Sequence, residues 1–293
     1  MLTRRELTLS SGSFSILEGP AGSQGNAPAV IWSHATGFHA AAYTPLLEAL
    51  AGEFEVHAPD ARGHGETGAN SDVSLLTSWQ VYYNDLVALI DELPPARTVV
   101  LAGHSMGATA CVFAAAMRPA RVSRLVLVEP VFYAPGTGVK ARTGLMASAA
   151  KRRSSFASLQ EVFDSYRPRT AFRGFSDKWL WDYIDGAFRP SGSGQYELRC
   201  SPQWEYRTFE TNERWPWWAI ARAKAPAIVL FAENYSACPP SARAVLRLLQ
   251  PRWKQTVLQR TTHLAPMEKP ESVFNAIVEA VNSANAKKTR NPA

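Results

Sequence analysis

Apolar and polar positions alternate between two regimes along the chain. Short β-like runs recur at residues 6–9, 13–17, 29–32, 55–58, 98–102, 124–128, 227–231 and 255–258. The runs Val99, Val100, Leu101 and Leu125, Val126, Leu127, Val128 lack polar alternation, as strands covered on both faces of a parallel sheet should. Residues 45–51, 75–93, 106–117, 241–249 and 271–284 instead carry apolar side chains at spacings of three and four, which predicts amphipathic crossover helices. Strands and helices in this order predict an α/β fold with a mostly parallel, doubly wound sheet of about eight strands.

About a hundred residues separate the run ending at Val128 from the one starting at Ala227, far more than a connection needs. Residues 132–223 are therefore expected to form a helical cap, inserted between core segments 1–131 and 224–293. Six of the nine tryptophans fall in it: Trp179, Trp181, Trp204, Trp215, Trp217 and Trp218. Two uses for them stand side by side, a small core between cap and sheet or an aromatic wall over a substrate cavity.

A length of 293 residues suits one catalytic domain with an inserted subdomain. The 46% apolar and 19% charged residues exclude a disordered chain. The net charge of +6 would suggest nucleic acid or anionic lipid if it were clustered on one face. Lys151, Arg152 and Arg153 read more simply as a solvated helix face, and Lys287, Lys288 and Arg290 as a frayed terminus. No nucleic-acid partner is expected. Cys111, Cys200 and Cys238 lack zinc-site or disulfide-framework spacing and favour a reducing compartment. Residues 1–10 show no signal-peptide pattern, and no apolar run approaches the ~18 residues that span a bilayer. The expectation is a soluble cytoplasmic protein without a membrane partner.

The chemistry begins where the run 98–102 enters Gly103, His104, Ser105, Met106 and Gly107, a G-x-S-x-G sequence at a strand-to-helix junction. Such an elbow lifts the serine hydroxyl above the sheet, and the glycines admit neighbouring chain. A serine needs a positioned base, expected after the last strand; His263 sits there, ahead of the terminal helix. Nucleophile first and histidine last is the chain order of an α/β-hydrolase triad.

Four blocks together resemble the α/β-hydrolase superfamily: S-H-A-T-G-F-H at 33–39, A-P-D-A-R-G-H-G at 58–65, G-H-S-M-G at 103–107 and H-L-A-P-M-E-K-P at 263–270. Residues 199–206, R-C-S-P-Q-W-E-Y, are similar to a bacterial subgroup of generic capped hydrolases of this superfamily, with Glu205 read as structural. The resemblance implies an oxyanion hole from the Thr36 and Met106 backbone N–H groups, with Ala35 where glycine is commoner. It also implies loop-organising roles for His34, Asp60, Arg62 and His64. Many relatives carry the triad acid in a G-x-x-D turn, where this chain has Tyr235. Two carboxylates can replace it. Glu129 ends the run 125–128, where some relatives, including dehalogenases, place the acid; Glu233 lies two residues from the usual site.

The function expected is hydrolysis of a carboxylic ester or related acyl bond, with Ser105 as nucleophile and His263 as general base, and with no metal or organic cofactor. Carbon–carbon, thioester or lactone cleavage and acyl transfer use the same constellation, and a non-hydrolytic receptor is the rival of another class. Aromatic density in the insertion and Met146 point to a small-molecule substrate with an apolar or aromatic moiety. The sequence leaves the oligomeric state open.

Overall fold

A computed structural model describes residues 1–20, 28–69, 71–134, 138–213 and 215–290, with side chains through Ala286. Eight of its strands form one sheet: β1 (Thr3–Leu9), β2 (Gly12–Gly19), β3 (Ala29–Ser33), β4 (Val56–Pro59), β5 (Val99–His104), β6 (Val122–Val128), β10 (Ala227–Ala232) and β11 (Lys254–Leu258). Their order is β1-β2-β4-β3-β5-β6-β10-β11, with β2 antiparallel to both neighbours and β4 through β11 parallel. Strands β3 and β5 are buried along their whole length, which is why their sequences show no polar alternation.

Helices cover both faces. On one, α2 (Gln80–Glu92), α3 (Met106–Met117), α8 (Trp217–Arg222) and α9 (Pro240–Leu249) pack against residues such as Leu101 and Leu125. On the other, α1 (Thr44–Ala51) and the terminal helix α10 (Pro270–Arg290) pack against Val100 and Val126. The chain runs outward from β3 to β4, then crosses back to β5 on the other side of β3. That reversal opens a crevice at the carboxyl ends of β3 and β5, the position where open α/β sheets hold their ligands.

Between β6 and β10 lie α4 (Val139–Ala150), α5 (Leu159–Tyr166), α6 (Asp177–Ala187), α7 (Pro202–Glu210) and α8. Serine N-caps start three of them: Ser158, Ser176 and Ser201 accept from the N–H groups of Glu161, Trp179 and Trp204. The segment is not purely helical as expected. It contains a three-stranded antiparallel sheet, β7 (Ser155–Phe156), β9 (Tyr196–Leu198) and β8 (Phe188–Pro190), whose strands are too short for a period-2 pattern to register. Two tryptophan N–H groups bind the segment to the rest: Trp179 donates to the Ala42 oxygen at 2.6 Å, and Trp79 to that of Thr208 at 2.7 Å.

The helix expected at 75–93 starts only at Gln80, because Asp72 accepts from the Ser74 N–H and closes a separate 3-10 turn at Val73–Leu75. The terminal helix continues to Arg290 rather than fraying after Ala284; the side chains of Lys287, Lys288 and Arg290 lie outside the described residues. Arg152 also departs from expectation. Its side chain is 13% exposed and ion-paired, so it is no part of a solvated face, whereas Lys151 and Arg153 are exposed.

Candidate active site

Ser105 links β5 to α3 with φ 56° and ψ −116°, a left-handed backbone that only surrounding structure can impose on a side-chain residue. The glycines on either side are sterically required. A Cβ at Gly107 would stand 2.1 Å from the Ser33 oxygen, and one at Gly103 would stand 2.7 Å from the Gly107 carbonyl carbon. The Ser105 N–H donates to the Val128 oxygen at 2.9 Å, tying the elbow to β6.

His263 follows β11 on a loop pinned by Glu268, which accepts the Thr262 N–H at 2.6 Å and the Thr262 hydroxyl at 2.7 Å. His263 Nε2 lies 2.9 Å from Ser105 Oγ, and Nδ1 lies 3.0 Å from Glu129 Oε2. Glu129 directly follows β6 with φ 52°. Its carboxylate is inaccessible to solvent and fully engaged: Oε1 accepts the Ala232 N–H at 2.6 Å and the Ser236 hydroxyl at 2.7 Å, and Oε2 accepts the Ala237 N–H at 2.9 Å. Desolvation is the largest single influence and raises its pKa. The bond and charge of His263, with the Ala232 and Ser236 donors, outweigh that and hold it below the ordinary carboxylate range.

Glu233 does not join this group; it is exposed, and its carboxylate accepts the Arg260 N–H at 2.7 Å. Tyr235 is 89% exposed with φ 53°. It heads the turn that delivers the Ser236 hydroxyl and the Ala237 N–H to Glu129. Sequence reading missed Ser236, because a lone hydroxyl in a loop carries no pattern.

The Thr36 and Met106 backbone N–H groups have no partner among the described residues, and Met106 opens α3, where the first helical N–H has none to find. The Thr36 hydroxyl lies 3.4 Å from Met106 Sδ, so the two residues face each other across the elbow. Behind them is a buried relay that sequence reading also missed. The Ala35 N–H donates to the Tyr43 hydroxyl at 3.2 Å, Tyr43 lies 2.8 Å from His104 Nδ1, and His104 Nε2 lies 2.7 Å from the His263 main-chain oxygen. A carbonyl can only accept, so His104 carries its proton on Nε2 and accepts from Tyr43 on Nδ1. Burial lowers the His104 pKa to about 3, which keeps the ring neutral.

The loop-organising residues act as the resemblance implies. Asp60, fully buried, accepts from the Ala40 N–H at 2.7 Å, the Glu66 N–H at 2.9 Å and Arg4 at 2.8 Å. His34 Nε2 accepts from the Ala61 N–H at 2.8 Å, while Arg62 pairs with Asp85 at 2.7 Å and His64 donates to the Arg62 oxygen at 3.0 Å.

A cavity of about 940 Å³ opens above Ser105 and His263. Its aromatic wall includes Phe38, Trp79, Tyr133, Phe172 and Phe209, and none of the six tryptophans of the insertion; Leu145 faces it, rather than the expected Met146. Those tryptophans mostly pack in the interior, with Trp179 and Trp204 buried and Trp181 stacked on Phe163, although Trp215 and Trp218 are exposed. At the cavity edge, Arg152 pairs with Glu205 at 2.7 Å and donates to the Tyr183 hydroxyl at 2.6 Å, and Tyr183 donates to the Gly37 oxygen at 3.1 Å. A Cβ at Gly37 would stand 2.7 Å from Glu205, so this knot rests directly on the loop that presents the Thr36 N–H.

A family profile described as "Alpha/beta hydrolase family" matches residues 30–276. The chain belongs to that family. It is 41% identical over 101 residues to an epoxide hydrolase of Caballeronia sordidicola, a match covering 33% of this chain and only 30% of that relative. Over 272 residues it is 24% identical to the 2-(acetamidomethylene)succinate hydrolase of Mesorhizobium japonicum, covering 89% and 90% of the two chains. A crystal structure of E-2-(acetamidomethylene)succinate hydrolase shares the fold, with a TM-score of 0.83, 21% identity and coverage of 96% of this hydrolase-family chain and 100% of that one. Among the described residues, no helix is long and apolar enough to cross a membrane.

Proposed function

We propose that this protein is a serine hydrolase that cleaves a carboxylic ester or related acyl bond through an acyl-enzyme on Ser105. The observation that supports this best is the continuous line from Ser105 Oγ through the two nitrogens of His263 to Glu129, at 2.9 and 3.0 Å. In this reading His263 Nε2 takes the hydroxyl proton as Ser105 attacks the carbonyl carbon, then returns it to the leaving alcohol. Water, deprotonated by the same nitrogen, attacks the acyl carbon; the acyl–Oγ bond breaks, the proton passes from His263 to Ser105 Oγ, and the acid is released. Glu129 holds the Nδ1–H tautomer and stabilises the imidazolium, and the Thr36 and Met106 N–H groups receive the oxyanion as charge develops.

Opening an epoxide in this fold requires a carboxylate nucleophile that forms an alkyl ester, which Ser105 cannot provide, so acyl chemistry fits the residue better than the name of the epoxide hydrolase relative does. We read residues 132–223 as a cap, because Tyr133, Leu145, Phe172 and Phe209 from that segment supply much of the apolar wall and suit a substrate with an apolar or aromatic moiety.

The test is hydrolysis of p-nitrophenyl esters of graded chain length by the wild type and by Ser105→Ala, together with labelling by an active-site fluorophosphonate. Turnover and labelling that both vanish in Ser105→Ala are the expected result. A folded wild type that neither turns over any ester nor takes the label would sink the reading and favour a binding role.

A further inference from the structure

We propose that the cavity above Ser105 takes an ester that carries an anionic oxygen group beside an apolar body, with Arg142 as the principal anion ligand and Lys151 and Arg169 in support. This rests on the hydrolase reading and adds the substrate class to it.

The cavity wall carries unpaired positive charge. Five cationic side chains line the cavity, Arg142, Lys151, Arg152, Arg153 and Arg169, against a single carboxylate, Glu205. Glu205 is taken by Arg152 at 2.7 Å, and Arg153 pairs outside the cavity lining with Glu161 at 2.8 Å. Among the described residues the other three have no carboxylate partner. Arg169 donates to the main-chain and hydroxyl oxygens of Ser165, both at 3.0 Å, and lies 4.2 Å from the Tyr166 ring centroid. Among the described residues the Arg142 side chain donates to the Asn212 amide oxygen at 3.4 Å, too long for a strong bond.

Arg142 is half-buried in the cavity wall, and no carboxylate pairs with it among the described residues, so its guanidinium is available to an incoming anion. The planar fork of arginine suits a carboxylate or a phosphate in two-point contact. Its place in the cavity fits such a role. The Tyr133 hydroxyl, raised in pKa chiefly by burial, is also raised by Glu129 and lowered by Arg142, so Tyr133 lies within electrostatic reach of both the triad carboxylate and this guanidinium. Phe38, Leu145 and Phe209 offer the apolar surface for the rest of the molecule.

The experiment compares p-nitrophenyl butyrate with the p-nitrophenyl hemiester of glutaric acid, and separately measures binding of glutarate and of phenyl phosphate to Ser105→Ala by calorimetry. The expected result is a kcat/KM at least roughly tenfold higher for the hemiester, the scale of one charge-assisted contact, shrinking as salt is added. Arg142→Gln should reduce that ratio roughly tenfold, through KM, and Arg169→Gln provides the same readout if Arg142→Gln does not fold. Binding of one anion and not the other to Ser105→Ala identifies carboxylate or phosphate as the group. Equal cleavage of both esters, a ratio indifferent to these variants and no anion uptake by Ser105→Ala would overturn the proposal. If neither ester is cleaved and the fluorophosphonate does not label Ser105, the hydrolase reading fails, and anion binding to Ser105→Ala still decides the charge inference.

Discussion

The imidazoles of His104 and His263 lie 5.1 Å apart between centroids, and His104 Nε2 is 2.7 Å from the main-chain oxygen of His263. The residue before the elbow serine therefore fixes the backbone of the residue that faces that serine. Tyr43 completes the link to the loop before Thr36 through Ala35. Tyr43→Phe strips this relay of its central hydroxyl and leaves His104 Nδ1 and the Ala35 N–H buried without a partner. A loss of roughly 1–3 kcal/mol in unfolding free energy is expected. Because Tyr43 touches no reacting atom, kcat should fall several-fold with KM nearly constant. Urea unfolding with steady-state kinetics checks both, and a variant with wild-type stability and kcat would remove the positioning role.

Glu129 and Glu233 separate cleanly by environment. Glu129 is sealed from solvent against His263, whereas Glu233 is exposed and accepts the Arg260 N–H. Glu129→Gln preserves shape and removes charge, so kcat is expected to fall by about 10²–10⁴-fold, as for a triad whose histidine loses its tautomer control. Glu233→Gln should change kcat by less than about twofold, as expected of a surface carboxylate. Comparable losses in the two variants would disprove the assignment.

The Arg152–Glu205 pair gives a third test. Both side chains are nearly buried, at 13% and 12% exposure, so removing one leaves an uncompensated charge. Arg152→Met should cost about 3–5 kcal/mol. Replacing both with apolar residues of similar volume should cost less than Arg152→Met alone, because the stranded carboxylate disappears with its partner. The knot rests on Gly37, so the single variant should also lower kcat by disturbing the Thr36 N–H. Additive losses in the double variant would show that the pair is not coupled.

The sheet and the Ser105–His263 pairing were legible because each is written in local pattern: buried apolar runs, a glycine-flanked serine and chain order. The carboxylate that meets His263 was legible only as one of two alternatives. Choosing Glu129 required knowing that β6 and β10 are neighbours, which brings the Ala232, Ser236 and Ala237 donors to its carboxylate from about a hundred residues away. Arg152 looked like surface because Lys151 and Arg153 are; only the fold places Glu205 and Tyr183 beside it. Short strands such as β7, at two residues, fall below the length at which any period can be read.

Acid should destabilise the fold before most carboxylates titrate. Burial lowers the pKa of His34, lowers that of His39 to about 4, and lowers those of His64 and His104 to about 3. Protonation of His64 would be especially unfavourable, since its Nε2 is buried without a partner. The unfolded chain binds protons at histidine near pH 6.5, well above these folded values. Unfolding free energy therefore rises with pH in that interval: the stabilisation is complete above about pH 6.5 and is lost as pH falls toward 4. His39, His64 and His104 each contribute roughly 2 kcal/mol of loss between pH 7 and pH 5, and His34 adds a loss of the same sign. Asp60 and Glu129, both held below the ordinary carboxylate range, withdraw their own stabilisation only at lower pH, so they cannot mimic this onset. Urea midpoints at pH 7.5, 6, 5 and 4.5 locate the onset. His64→Asn, which removes one titrating site, should reduce the loss between pH 7 and 5 by about a single histidine's share. A midpoint flat from pH 7.5 to 5 would mean that these rings accept protons in the folded state as readily as in the unfolded one.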